Sequence, residues 1–257
     1  MRRFFISTLF FSICAALVIF SACTPSENSV NQRNNQEIAA PADNNSAAPE
    51  KVQEEAKAAV PDSKNAEPAR DEAAFAKLLN PDEFKDIAPD QFNVIVKTTK
   101  GDVKIELHRD WAPNGVDRFY NLVKGGFFND IALFRMVKGF VVQFGIHGSP
   151  LVSGAWREAI IKDDPVRETN AKGTLTFATA GRDTRTTQLF INLQDNKRLD
   201  QMGFSPIGKI VEGMDVIENL NFEYGERPNQ GRIQSQGNAY LKTQFPNLDY
   251  IVSMTIE

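Results

Sequence analysis

From residue 92 onward, hydrophobic and polar positions alternate in short bursts. Residues 92–99 (FNVIVKTT) and 102–107 (DVKIEL) read as two strands, the second with Val103, Ile105 and Leu107 on one face. Lys100-Gly101 between them predicts a two-residue hairpin turn, the glycine supplying a positive φ. At Pro113 the period changes. Val116, Phe119, Tyr120 and Val123 recur at helical spacing, opened by Ala112-Pro113 and stopped by Gly125-Gly126. Strand patterns return at residues 133–137, 141–145, 173–178, 188–193 and 205–211. A short helix at 214–220 and a closing strand at 250–256 follow, while residues 146–172 read as a long loop. There is no repeat and no regular strand–helix alternation. The pattern therefore predicts a mainly β domain over residues 92–257, an antiparallel barrel with one early and one late helix at its ends.

Upstream the pattern is different. Met1-Arg2-Arg3 precedes an apolar run, residues 4–20, which ends at Ser21-Ala22-Cys23. A basic start, an apolar stretch and small residues predict an export signal over residues 1–22. An uncleaved membrane anchor is the other reading, since ~20 apolar residues can span a bilayer. Phe20-Ser21-Ala22-Cys23 resembles the bacterial lipobox, with Phe20 in place of the usual leucine. That resemblance implies lipidation of Cys23 and a chain exported and held at the cell envelope. Thr24 is not the aspartate associated with inner-membrane retention, which implies the outer membrane in a Gram-negative cell.

Residues 23–70 are rich in Asn, Gln, Ala, Pro, Glu and Ser and read as a disordered tether, punctuated by Pro25, Pro41, Pro49, Pro61 and Pro68. Residues 71–91 form a short leader. Its helical stretch, 71–79, places Phe75, Leu78 and Leu79 on one face to pack against the domain.

Composition narrows the function. The formal charge of −4 is uneven: the first 91 of 257 residues carry 9 basic against 14 acidic side chains, the rest 20 against 19. No basic stripe appears, so nucleic acid is not an expected partner. Cys14 and Cys23 are the only cysteines, leaving the folded part without a disulfide or a thiol nucleophile. His108 and His147 stand apart, so no metal site is expected. Neither a Gly-x-Ser-x-Gly elbow nor a phosphate-binding glycine loop is present. Asp163-Asp164, before Pro165, reads as a pair of solvated loop carboxylates. Residues 133–145 (LFRMVKGFVVQFG) stand out because they plant Arg135 and Gln143 in an apolar run. Such an arginine either snorkels from a half-exposed strand or serves as a positioned donor in an apolar pocket.

Four ordered motifs carry a resemblance. Phe134-Arg135-Met136-Val137, with Gly139-Phe140-Val141-Val142-Gln143 and Gly145, is similar to the cyclophilin signature. So are Gly173 to Gly181 with Thr186 to Ile191, then Leu199-Asp200, then Phe204 to Ile217. The helix at residues 113–126 resembles the family's first helix. The resemblance spans residues 92–257. It implies an eight-stranded antiparallel barrel capped by two helices. The implied activity is peptidyl-prolyl cis–trans isomerisation of proline-containing polypeptides by a monomer, with neither cofactor nor metal. By position, Arg135 is the catalytic arginine. Phe140, Val141, Phe190, Leu199 and Phe204 line the proline pocket. Gln143 and Gln188 position the arginine and the peptide backbone, and Ala178 and Thr179 offer backbone contacts to the residue before proline. Departures include Val141 for methionine, Arg198 for tryptophan, Thr179 for asparagine and Phe144 for glycine. Residues 149–170 are an insertion, in which Trp156 reads as local core or as a substrate contact. A cyclophilin-fold chaperone or peptide-binding scaffold with little turnover is the alternative.

The chemistry is consistent with one arginine and a greasy pocket. Amide resonance opposes rotation of an X–Pro bond by ~18–20 kcal/mol. Lowering that barrier needs neither nucleophile nor base. It needs a donor at the prolyl nitrogen, whose lone pair is released only as the bond twists, so the donor binds the twisted state best.

Overall fold

The computed structural model describes residues 72–257. The expected export signal, Cys23 and the tether lie outside them, as does residue 71. Every predicted strand forms. They are β1 (Gln91–Thr98), β2 (Gly101–His108), β4 (Arg135–Val137), β5 (Val141–Phe144), β6 (Thr174–Phe177), β7 (Leu189–Asn192), β8 (Pro206–Glu212) and β9 (Tyr250–Ile256). A further two-residue strand, β3 (Ile131–Ala132), brings the sheet to nine strands rather than eight. The hairpin turn falls at Thr99-Lys100, because Thr98 pairs with Gly101; Gly101 opens β2 at a φ of +142°.

The sheet runs β3-β9-β1-β2-β8-β6-β7-β5-β4, antiparallel throughout. Its two ends, β3 and β4, are separated in sequence only by Leu133 and Phe134. A chain spans at most ~3.6 Å per residue, so this link draws the two edges together and curls the sheet into a barrel with a covalent seam. Leu133 and Phe134 are each 1% exposed, so the seam is plugged by apolar side chains. Val94, Ile105, Leu107, Leu175 and Ile207 fill the interior from the alternating inward positions of their strands.

More than two helices pack on this frame. They are α1 (Glu72–Leu78), α2 (Pro113–Lys124), α3 (Pro150–Trp156), α4 (Arg198–Gln201), α5 (Met214–Glu218) and α6 (Gln230–Gln244). The anticipated loop at 146–172 therefore holds α3. Trp156 at its end is core: it is 1% exposed, meets Phe84 and Phe127 edge-on at 5.2 and 5.5 Å, and donates Nε1–H to Leu78 O at 2.8 Å. The leader thus docks through Leu78, whereas Leu79 is exposed, off the expected apolar face. α6 escaped the sequence pattern because it is polar and kinked at Gly237, whose φ of +60° lets its backbone pass close to Gly148.

Asp164 departs from the sequence expectation. It is 5% exposed and accepts from the Asn114 and Gly115 N–H groups at 3.0 and 2.9 Å, capping α2 in place of Ala112, which has no side chain to do so. Arg185 Nη2 donates to it at 3.0 Å, and Arg185 Nε lies 3.1 Å from Asp163. Burial beside the Arg185 charge pulls the Arg118 pKa down to about 10.

Candidate active site

The β4–β5 hairpin builds one wall of the site. Its three-residue turn, Lys138-Gly139-Phe140, has Gly139 at a φ of +66° and closes with Phe140 N–H donating to Val137 O at 3.0 Å. Phe140 is thereby held at the tip. Arg135 and Gln143 are directly paired across the hairpin, and Arg135 Nη1 donates to Gln143 Oε1 at 3.2 Å. Gln143 Nε2 passes the chain on to Gln188 Oε1 at 2.9 Å. The glutamine needs both ends satisfied because it is only 9% exposed. Gly145 makes this approach possible: a Cβ there would run into Thr187 O.

Beside the arginine lies a second apolar cluster, separate from the barrel core. Val141, Phe190 and Leu199 form its buried part, with Phe140, Ala178 and Phe204 packed around them. Phe190 and Phe204 meet edge-to-face at 5.7 Å. These six are the apolar and backbone-contact residues read from the sequence, apart from Thr179. Thr179 turns into its own loop: its Oγ1 accepts from Gly181 N–H at 3.1 Å and is hydrogen-bonded to Thr184 Oγ1 at 2.8 Å. Ala178 N–H donates to Gln188 O at 2.9 Å and so is not free for the backbone contact that the resemblance implies.

A buried amide network ties the backbone of this cluster together. Asn170 Nδ2 donates to Asp200 Oδ1 at 2.8 Å and to Phe204 O at 2.9 Å, and its Oδ1 accepts from Thr176 and Asn192. Asn196 Nδ2 bridges Asn192 Oδ1 at 2.7 Å and Phe140 O at 3.0 Å. Burial pushes the Asp200 carboxyl up, but the Asn170 and Thr169 bonds outweigh it and hold its pKa below the ordinary carboxylate value.

The model of the family described as cyclophilin type peptidyl-prolyl cis-trans isomerase/CLD matches residues 93–237. The chain belongs to this family. Peptidyl-prolyl cis-trans isomerase A of Dickeya dadantii is similar to this cyclophilin: 31% identical over 134 residues, 50% of this chain and 70% of the relative. Peptidyl-prolyl cis-trans isomerase B of Escherichia coli is 30% identical over 49% of this chain and 82% of its own. A cyclophilin type isomerase crystal structure from Cryptosporidium parvum aligns over 65% of this chain and 98% of its own, at 21% identity and a TM-score of 0.48.

Two features of this cyclophilin's site were not visible in its sequence. Glu226 accepts from Arg135 Nε at 2.7 Å, although 91 residues separate them. Arg198 lies over the Phe140 ring at 5.5 Å, and Arg135, ion-paired with Glu226, lies at 5.7 Å from the same ring. Nothing near residue 226 marks it as a partner of Arg135. Asn192, by contrast, sits in the apolar run LFIN and could have signalled the buried amide network. Among the described residues, no group of three His, Cys, Asp or Glu side chains gathers to hold a metal ion.

Proposed function

We propose that this cyclophilin isomerises X–Pro bonds in exported polypeptides at the cell envelope, assisting their folding, while tethered by a lipid on Cys23. Arg135 is the catalytic residue. The proline ring sits against Phe140, Val141, Phe190, Leu199 and Phe204, and the preceding residue runs past Ala178 and Thr179, with Gln188 gripping the backbone. The observation that carries this reading is the juxtaposition of a held guanidinium with a second apolar cluster, separate from the one that fills the barrel. As the amide twists, its nitrogen becomes pyramidal and basic, and a donor fixed beside it stabilises the twisted state over both planar ones. Exclusion of water by the pocket strengthens that interaction.

A protease-coupled assay on an Ala-Ala-Pro-Phe anilide, with the full chain and its Arg135→Ala variant, tests the catalytic role. A drop in kcat/KM of well over tenfold, above ~1.4 kcal/mol of transition-state stabilisation, is expected at unchanged melting temperature. Unaltered turnover would overturn the assignment. Mass spectrometry of the mature N-terminus tests the tether: an acylated Cys23 supports it, and an unmodified one removes it.

A further inference from the structure

The Arg135 side chain meets Glu226 in the segment between a short 3-10 turn, Phe222–Tyr224, and α6. The contact is double: Glu226 Oε1 lies 2.7 Å from Arg135 Nε and 2.5 Å from Nη2. Gln143 takes Nη1 from the other side. A guanidinium has five N–H donors in one plane. With the Nε–Nη2 edge bound by Glu226 and one Nη1 proton by Gln143, one proton each on Nη1 and Nη2 remains. The plane of the group and its free edge are therefore fixed by two acceptors from opposite sides.

The backbone on either side of Glu226 is anchored. Gly225 O accepts from Met136 N–H at 3.1 Å, which fastens this segment to β4 one residue past Arg135. Arg227 N–H donates to Tyr224 O at 3.0 Å, and its guanidinium reaches Tyr224 O and Glu223 O. Glu226 itself is largely exposed, its side chain 62% accessible against 25% for Arg135. An exposed ion pair adds little to stability, so the pair's main effect is on the geometry and charge of Arg135.

We propose that Glu226 is a positioning residue for isomerisation. It orients the Arg135 guanidinium and offsets its charge when a peptide covers the pocket and strips its water. The inference rests on Arg135 being the catalytic donor. In this role Glu226 acts through Arg135 and not on the peptide, so its loss is expected to act on turnover rather than on binding.

Steady-state isomerisation by the full chain, with Glu226→Ala, Glu226→Gln and Arg135→Ala, tests it. Glu226→Ala is expected to lower kcat about five- to tenfold with KM within about twofold. Glu226→Gln, whose amide oxygen still accepts from Nε, is expected to recover part of the loss. The Arg135 Nε–H resonance should shift strongly in the alanine variant and weakly in the glutamine variant. If Arg135→Ala abolishes turnover while both Glu226 variants keep wild-type kcat and resonance, Glu226 has no positioning role. A raised kcat in Glu226→Ala equally overturns it, showing that the carboxylate restrains Arg135. If Arg135→Ala itself retains turnover, the failure belongs to the reading of the site.

Discussion

Arg135 and Gln143 occupy directly opposed positions on β4 and β5, and the hydrogen bond between their side chains, at 3.2 Å, follows from that register. Directly opposed residues on one face of an antiparallel pair are the closest neighbours a sheet offers. A slip of one residue would send the two side chains to different faces. Replacing Gln143 with Leu removes the Nη1 acceptor and leaves Gln188 Oε1 without its donor. A fall in kcat/KM of about tenfold is expected in the coupled assay, with a stability loss of about 1–3 kcal/mol in urea unfolding.

Asp164 joins the α2 N-terminus to Arg185, and its carboxylate is almost wholly enclosed. Removing one member of such a buried pair strands the other charge. Asp164→Ala is expected to destabilise the domain by about 3–5 kcal/mol, measured by urea or thermal unfolding. A double variant that also replaces Arg185 with Met should recover much of that loss.

Asn170 uses both ends of its amide to join Asp200, Phe204, Thr176 and Asn192. Asn170→Ala is expected to cost about 2–4 kcal/mol through the partners left unsatisfied. Because Phe204 loses its tie, KM should rise as well, which progress curves on the anilide peptide would show.

Tyr250 carries a buried hydroxyl with no hydrogen-bond partner among the described residues, and burial together with the nearby Asp130 charge pushes its pKa up to about 12. The ordinary tyrosine value is 10. Between pH 10 and 12 the unfolded chain therefore releases this proton while the folded chain keeps it, and stability falls as pH rises. Tyr250→Phe is expected to be neutral or stabilising at pH 7 and to remove that part of the alkaline loss, as read from melting temperatures across the range.

The strands were legible because each is short, apolar and bounded by turn residues, as in residues 102–107. That six of the residues assigned to the site lie together was legible because the family motifs fix their order along the chain; the structure gathers Phe140, Val141, Ala178, Phe190, Leu199 and Phe204 into one cluster. Elements set by tertiary partners were not legible. α6 has no clean apolar stripe, and Gly237 interrupts it. Asp164 looks solvated until α2 and Arg185 are brought to it, and the Glu226 contact joins residues 91 positions apart, beside the bond from Met136 N–H to Gly225 O. Short-range periodicity carries no information on such long-range polar pairing.

The pocket cluster of Val141, Phe190 and Leu199 is packed apart from the barrel interior. If the proposed site holds, the side chains that grip proline are packed largely apart from those that fill the barrel. On that reading, a substitution at Val141 would alter the shape offered to a proline ring while leaving the barrel interior, filled by Val94, Ile105, Leu107, Leu175 and Ile207, its own contacts.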